Sequence, residues 1–264
     1  MASYGHDDGT SIGGIMERQI EQAVLRAIDT MRRNLGEEIA IDDLARAALF
    51  SKFHFSRVFH RVTGLSPGHF LSALRIQEAK RLLATTPMSV TDISHRVGYA
   101  SVGSFTTRFT HSVGASPTLY RQYSRTSHVG PGIRRKDGCR RSHGGTVEGN
   151  VWSLTSGRPV FVGLFPDRVM QGLPIRSTFL HCPGPYVLED IPPGAWHLMA
   201  CLADEPGGRH ADPPHIGRYG PIVMRMDTGN LLADIRLKVM GPLDPPILLA
   251  VGDLQPAPLT ATGA

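Results

Sequence analysis

The chain has 264 residues, 41% of them hydrophobic, which is enough for two domains; it shows no signal-peptide pattern and no apolar run near the length of a membrane span, so a cytoplasmic protein is expected. Its three cysteines, Cys139, Cys182 and Cys201, cannot pair evenly and fit a reducing compartment rather than a disulfide scaffold. The net charge of +5 divides as +3 over residues 1–124, +4 over 125–150 and −2 over 151–264, so nucleic-acid affinity is expected of the first half only.

Residues 1–14 are rich in Gly, Ser and Asp without periodicity, and a disordered tail is expected there. Ile41, Leu44, Ala45 and Ala48 then form an apolar stripe at helical spacing. After a break at Leu49-Phe50, a second stripe follows at Phe55, Val58, Phe59 and Val62, with Lys52, Phe53, Ser56, Arg57 and His60 on the opposite face. Gly64 suits the residue just past a helix end. Ser66-Pro67 reads as an N-cap followed by proline in the first turn. Phe70, Leu71, Leu74, Ala79, Leu82 and Leu83 then predict a long, stiff helix ending near Thr85-Thr86-Pro87.

A second unit follows. Thr91 to Val97 is its support helix, with Ser89 and Asp92 in a capping pattern. Gly98-Tyr99 is its turn, and Ser101 to Val113 its second helix, buried through Phe105 and Phe109. The outer face offers Val102, Gly103, Thr106, Thr107 and Thr110. A shift of 50 pairs Ser51 with Ser101, Phe55 with Phe105, Phe59 with Phe109, Gly64 with Gly114, Ser66 with Ser116 and Pro67 with Pro117. Upstream the offset is 49, pairing Asp43 with Asp92 and Leu44 with Ile93. A repeat of this kind is one helix-turn-helix unit used twice, and two such units on one rigid body can enter successive major grooves of a duplex.

Residues 17–123 resemble the DNA-binding domain of AraC/XylS-type bacterial transcription regulators. The resemblance is carried by Ser51 through Phe59, Thr63-Gly64 through Phe70, Arg75 through Leu83, Asp92-Ile93, Val97 through Ser101, Phe105, Phe109, Gly114, Pro117 and Tyr120-Arg121. It implies a seven-helix domain that reads double-stranded DNA through two recognition helices. By position, the first reading face is Lys52, Phe53, Ser56 and Arg57, and the second is Val102, Gly103, Ser104, Thr106 and Thr107. Members of the family often have arginine where this chain has Thr107; Arg108 comes one step later, suited to a phosphate or to a semi-buried position. Arg57 suits a guanine edge and Phe53 a thymine methyl; the structural alternatives are a phosphate contact or plain solvent exposure for the first and helix packing for the second. Arg75, Lys80 and Arg81 suit structural or phosphate roles.

Residues 125–150 are expected to be a flexible basic linker. Arg134, Arg135, Lys136, Arg140 and Arg141 are either solvated charges or an arm on phosphates. Residues 151–264 change period. Short runs at Pro159–Phe165, Leu173–Leu180, Tyr186–Leu188, Trp196–Cys201, Ile222–Met226, Ile235–Val239 and Ile247–Val251, punctuated by Gly and Pro, suggest seven strands in a β-sandwich. Residues 184–198, with Pro193-Gly194 as a turn between Tyr186-Leu188 and Trp196-Leu198, resemble a hairpin of transthyretin-like, carboxypeptidase-regulatory-type sandwiches. The fold class is therefore an all-α double helix-turn-helix domain (15–124) followed by an all-β sandwich-like domain (151–264). This places the DNA-binding half first, whereas AraC-type proteins commonly put it last.

His181, Cys182, His197, Cys201, His210 and His215 match no close-set zinc spacing, and no cofactor is expected. Tyr186, Trp196 and Trp152 suit a core. Arg209, Asp212, His215 and Arg218 could rim a pocket. No nucleophile elbow, phosphate loop or paired-carboxylate site is found, so no enzyme is expected. The expected function is sequence-specific transcription regulation, with RNA polymerase as a partner if the regulator activates. Residues 151–264 would fold alone, leave site preference to the helical half, and regulate through a small-molecule effector or as a homodimer. The rival reading makes that second half a ligand-sensing or partner-binding module with the main activity.

Overall fold

The computed structural model describes residues 9–126, 144–155, 157–203 and 214–250. The helical part runs α1 (Gly9–Arg33), α2 (Ile41–Ala48), α3 (Lys52–Thr63), α4 (Pro67–Thr85), α5 (Val90–Arg96), α6 (Val102–Val113) and α7 (Pro117–Thr126). The two predicted units are α2–α3 and α5–α6. Residues 9–14, expected in the tail, instead open α1. Ala23, Val24, Ala27, Ile28 and Met31 bury one face of that helix, and once this face is anchored each further residue adds a hydrogen bond without a new nucleation cost.

Helix α4 is the axle of the helical part. Phe70, Leu71, Ala73, Leu74, Ile76, Ala79, Leu82 and Leu83 are all buried, so its apolar surface runs most of the way round. A helix apolar on nearly every side must be covered on nearly every side. Arg75 ties it in place: the guanidinium donates to the carbonyls of Leu35 (3.0 Å), Gly98 (3.1 Å) and Glu37 (2.7 Å). Arg81 pairs with Glu78 along the same helix. Arg75 is thus a structural residue.

The β-rich part comprises β1 (Gly145–Trp152), β2 (Val160–Phe165), β3 (Arg176–Leu180), β4 (Pro185–Ile191), β5 (Gly194–Leu202), β6 (His215–Met224), β7 (Asn230–Leu232), β8 (Ile235–Arg236) and β9 (Lys238–Val239). They form two open sheets. One has the order β4-β1-β7 with β8 also on β1, and the other β3-β2-β5-β6-β9. β1 runs antiparallel to β4 but parallel to β7 and β8. Val147, Val151, Leu188 and Ile235 from the first sheet share a core with Val162, Leu164, Leu198 and Ile222 from the second. Tyr186 lies in it and donates its hydroxyl to the Ala233 carbonyl; burial is the main cause that raises its pKa above the ordinary tyrosine value.

Three expectations are corrected here. Residues 145–150, assigned to the linker, are strand, because Val147 and Val151 are needed to fill the core between the sheets. The segment 184–198 is no hairpin. β4 pairs with β1, whereas β5 pairs with β2 and β6, so the chain crosses between sheets. Asp190 at positive φ and the donor-less Pro192 and Pro193 end one ladder before the next begins; Trp196 closes over the crossing and donates to the Pro192 carbonyl at 2.9 Å. Residues 247–250, expected in a strand, are irregular, and Val251 lies outside the described residues.

That irregular segment joins the two halves. Leu248 and Ala250, with Val169, belong to the same buried cluster as the helical residues. Lys80 of α4 donates to the carbonyls of Ile247 (3.4 Å), Leu248 (2.9 Å) and Leu249 (3.4 Å), and its ammonium lies 5.8 Å from the centre of the Tyr120 ring. The outer face of the five-stranded sheet is therefore also buried, through Phe161, Phe165, Met199 and Cys201 against Met170 and Leu249.

A shared core predicts shared unfolding. Both tryptophans, Trp152 and Trp196, lie in the β-rich part, so their fluorescence follows that half, while the 222 nm dichroism follows the helices. The two signals should give coincident urea transitions. Leu248→Ala should shift both together and cost about 2–5 kcal/mol; two separate transitions would show independent halves.

His197 on β5 supplies a pH dependence. Burial, then the Arg168 charge, lower its pKa, against the opposing pull of Asp167. Between the lowered value and about 6.5 the unfolded chain binds a proton that the folded chain refuses, so stability falls as pH drops through this window. His197→Gln should remove that acid-side loss, read as the change in urea midpoint between about pH 7.5 and about pH 5.5.

Candidate nucleic-acid interface

Each reading helix is positioned by the same local construction. After α2, Leu49 adopts a left-handed conformation (φ 62°), and the Phe50 amide donates to the Ala45 carbonyl at 2.9 Å. After α5, Gly98 does the same (φ 82°), and the Tyr99 amide donates to Ser94 at 3.0 Å. The second unit then carries one more residue, Ala100, which accounts for the change of offset from 49 to 50. Ser101 caps α6 by accepting from the Ser104 amide at 3.2 Å. Gly64 (φ 77°) and Gly114 (φ 87°) end α3 and α6 in the left-handed conformation that glycine adopts without a Cβ penalty.

The predicted buried stripes hold. Phe55, Val58 and Phe59 are buried in α3, and Phe105 and Phe109 in α6. Edge-on rings lock each helix to the next: Phe59 onto Phe70, and Phe109 onto Tyr120. This leaves two outward arcs at equivalent positions. On α3 the arc holds Phe53, Arg57, His60 and Arg61; on α6 it holds Gly103, Thr107, Thr110 and His111, all exposed.

The individual candidates fall into different settings. Phe53 is 83% exposed, so its aromatic ring has no packing role. Arg57 is exposed, and no hydrogen bond or ion pair holds it among the described residues. Lys52 pairs with Asp42 of α2 at 3.1 Å. Ser56 is half-buried and donates back to the Lys52 carbonyl at 3.0 Å. On α6, Gly103, Ser104 and Thr107 are exposed, and Val102 and Thr106 are half-buried. Ser104 belongs to the cap: its hydroxyl lies 2.8 Å from that of Ser101. Arg108 is also half-buried and donates from Nε to Ser72 of α4 at 3.1 Å, so it bridges α6 to α4. The linker residues Arg134, Arg135, Lys136, Arg140 and Arg141 lie outside the described residues, as do Arg209, His210 and Asp212.

Arg61 and His111 share the exposed arcs but were not singled out from the sequence. The signal was present, since both stand eight residues after Phe53 and Gly103, on the same helical face. The two arcs differ in chemistry. That of α3 is cationic and aromatic, whereas that of α6 is built from glycine, hydroxyls and one histidine.

Residues 44–123 match the family described as Helix-turn-helix domain. Over 88 residues the chain is 38% identical to the HTH-type transcriptional activator AarP of Providencia stuartii, covering 33% of this chain and 65% of that protein. Over 106 residues it is 31% identical to the uncharacterized HTH-type transcriptional regulator YobQ of Bacillus subtilis, covering 40% of this chain and 44% of that protein. The chain thus spans less than two thirds of the length of either relative. Among solved structures, it is similar to the DNA-binding domain of AdpA, the global transcriptional factor, in complex with a target DNA (31% identity, 40% of this chain, 93% of that one, TM-score 0.36). The helical half contains a helix-turn-helix domain, and the relatives that share it are named transcription regulators.

Arg108 gives the test of this site's internal construction. If its guanidinium mainly ties α6 to α4, Arg108→Ala should cost roughly 0.5–1.5 kcal/mol in urea unfolding. Ser72→Ala should cost a similar amount, and the double variant less than the sum; full additivity would show that the two side chains act separately.

Proposed function

We propose that this chain is a sequence-specific, DNA-binding transcription regulator of the AraC type. The observation that carries this reading is the pair of equivalent exposed arcs on α3 and α6, mounted on one buried helix, α4. α3 and α6 enter successive major grooves about one turn, roughly 34 Å, apart. Lys52, Phe53, Ser56 and Arg57 read from the first helix, with Arg57 as the main base contact. Val102, Gly103, Ser104, Thr106 and Thr107 face the second groove and contribute shape and hydroxyl contacts. Lys52 reaches a phosphate when it leaves Asp42, and Arg108 supports α6 from behind. Similarity to a protein named as an activator supports an activating role through RNA polymerase. The β-rich part is read as a transthyretin-like sandwich with a regulatory role, taking a small-molecule effector or a second copy of the chain; its inner-face residues share one core.

Arg57→Ala tests the central assignment. On a duplex selected by the full chain from a random pool, the substitution should cost roughly 1–3 kcal/mol and relax preference at one base pair. Equal losses on selected and random DNA would reduce Arg57 to a phosphate contact.

A further inference from the structure

The β-rich part touches the two helix-turn-helix units at matching places. At the end of α3, a Cβ on Gly64 would lie 3.0 Å from Cδ of Arg168, so the Arg168 side chain lies across that glycine. At the end of α6, fifty residues on, a Cβ on Gly114 would lie 3.6 Å from Leu173 and 3.8 Å from Leu249. The second contact is reinforced by backbone. The Gly172 amide donates to the Ser112 carbonyl at 2.7 Å, and the Ala250 amide to the Val113 carbonyl at 3.4 Å. These segments are tied to each other as well, since the Leu248 and Leu249 amides both donate to the Met170 carbonyl at 3.0 Å. The third fixed point is α4 itself, whose Lys80 holds the carbonyls of residues 247–249.

From this we infer that residues 168–173 and 247–250 form a brace that fixes the two reading helices relative to each other. Three anchors, on α3, α4 and α6, add a second set of contacts to the packing that already mounts both units on α4. The anchors lie at the C-terminal ends of α3 and α6. Phe53, Arg57, Gly103 and Thr107, nearer the N-terminal ends, stay exposed with the brace in place, so the braced form is compatible with DNA. The brace makes the β-rich part a component of site recognition. Site preference is then not confined to the helical half, in contrast to the expectation from sequence. A molecule that loosens the contact would lower affinity for a two-groove site without touching DNA. The inference rests on the reading that both α3 and α6 meet DNA.

Distances are read on the full chain with Cys139, Cys182 and Cys201 replaced and spin labels at His60→Cys and Thr110→Cys; affinities are read on the chain without these replacements or labels. Arg168→Ala with Gly172→Ala loosens the brace. Gly172 has φ 66°, and its Cβ would come 3.0 Å from the His111 carbonyl oxygen, so the added methyl pushes the contact apart. Pulsed electron resonance should give one narrow label-to-label distance in the parent and a broadened distribution in the double variant, with helical dichroism retained. On the selected duplex the double variant should lose about tenfold or more in affinity, because fixed spacing is what makes the second groove contact effectively intramolecular. Affinity for a duplex holding only the α3 half-site should be unchanged. Leu232→Ser, far from the contact, should change neither signal. If the double variant loses helicity, Lys80→Gln, which releases the third anchor without backbone strain, replaces it. An unchanged distance distribution in a folded variant would overturn the brace. Absence of DNA binding by the parent would instead overturn the DNA reading, and the distances would still decide the brace.

Discussion

Burial of α4 on nearly every side is the constraint from which the rest of the arrangement follows. A nineteen-residue helix with Phe70, Leu74, Ile76, Leu82 and Leu83 distributed around it cannot sit at a surface. The other helices cover part of it, and the segment around Leu248 covers more. Because α4 is the shared element, anything packed on it also positions α3 and α6. Arg75 adds directional hydrogen bonds to this non-directional packing, holding the end of α1 and the second turn to the same axle. Both units thereby become fixtures of one body rather than beads on a chain.

The duplication is structural more than chemical. Rings and closing glycines recur at the same places in both units, since they fix where each second helix ends and how it meets the helix that follows. The exposed arcs have diverged, because nothing in the fold constrains a solvent-facing side chain. An arginine and a phenylalanine stand on one arc, and glycine and threonine on the other, so the α3 arc is the charged one.

The β-rich part is bound to the helices through the unusual burial of its larger sheet. β2 is buried along its whole length, on both faces. One face meets the smaller sheet, and the other meets residues around Met170 and Leu249, which in turn reach the helical core. A strand buried on both faces reads as a continuous apolar run, and Val160-Phe161-Val162 is one.

The sequence by itself determined the local elements. The 3.6-residue stripes, the Ser caps and the glycines placed α2 through α6, because helix periodicity and capping are properties of neighbouring residues. The fifty-residue repeat showed that the helical half uses one unit twice. The exposure of Phe53 and Arg57 could be read from the opposite stripe. Only the tertiary structure decided which surfaces meet. Periodicity around Tyr186 and Trp196 was right for strands but silent on partners, since any strand pairs through its backbone, and so the crossing from β4 to β5 looked like a hairpin. Val147 reads as a linker residue until the core that it fills is present. Arg108 and Lys80 carry the same charge as Arg57 in the sequence; their roles as internal ties came from what lies within reach of each guanidinium or ammonium. The charge of a side chain is local, but its partner is set by the fold.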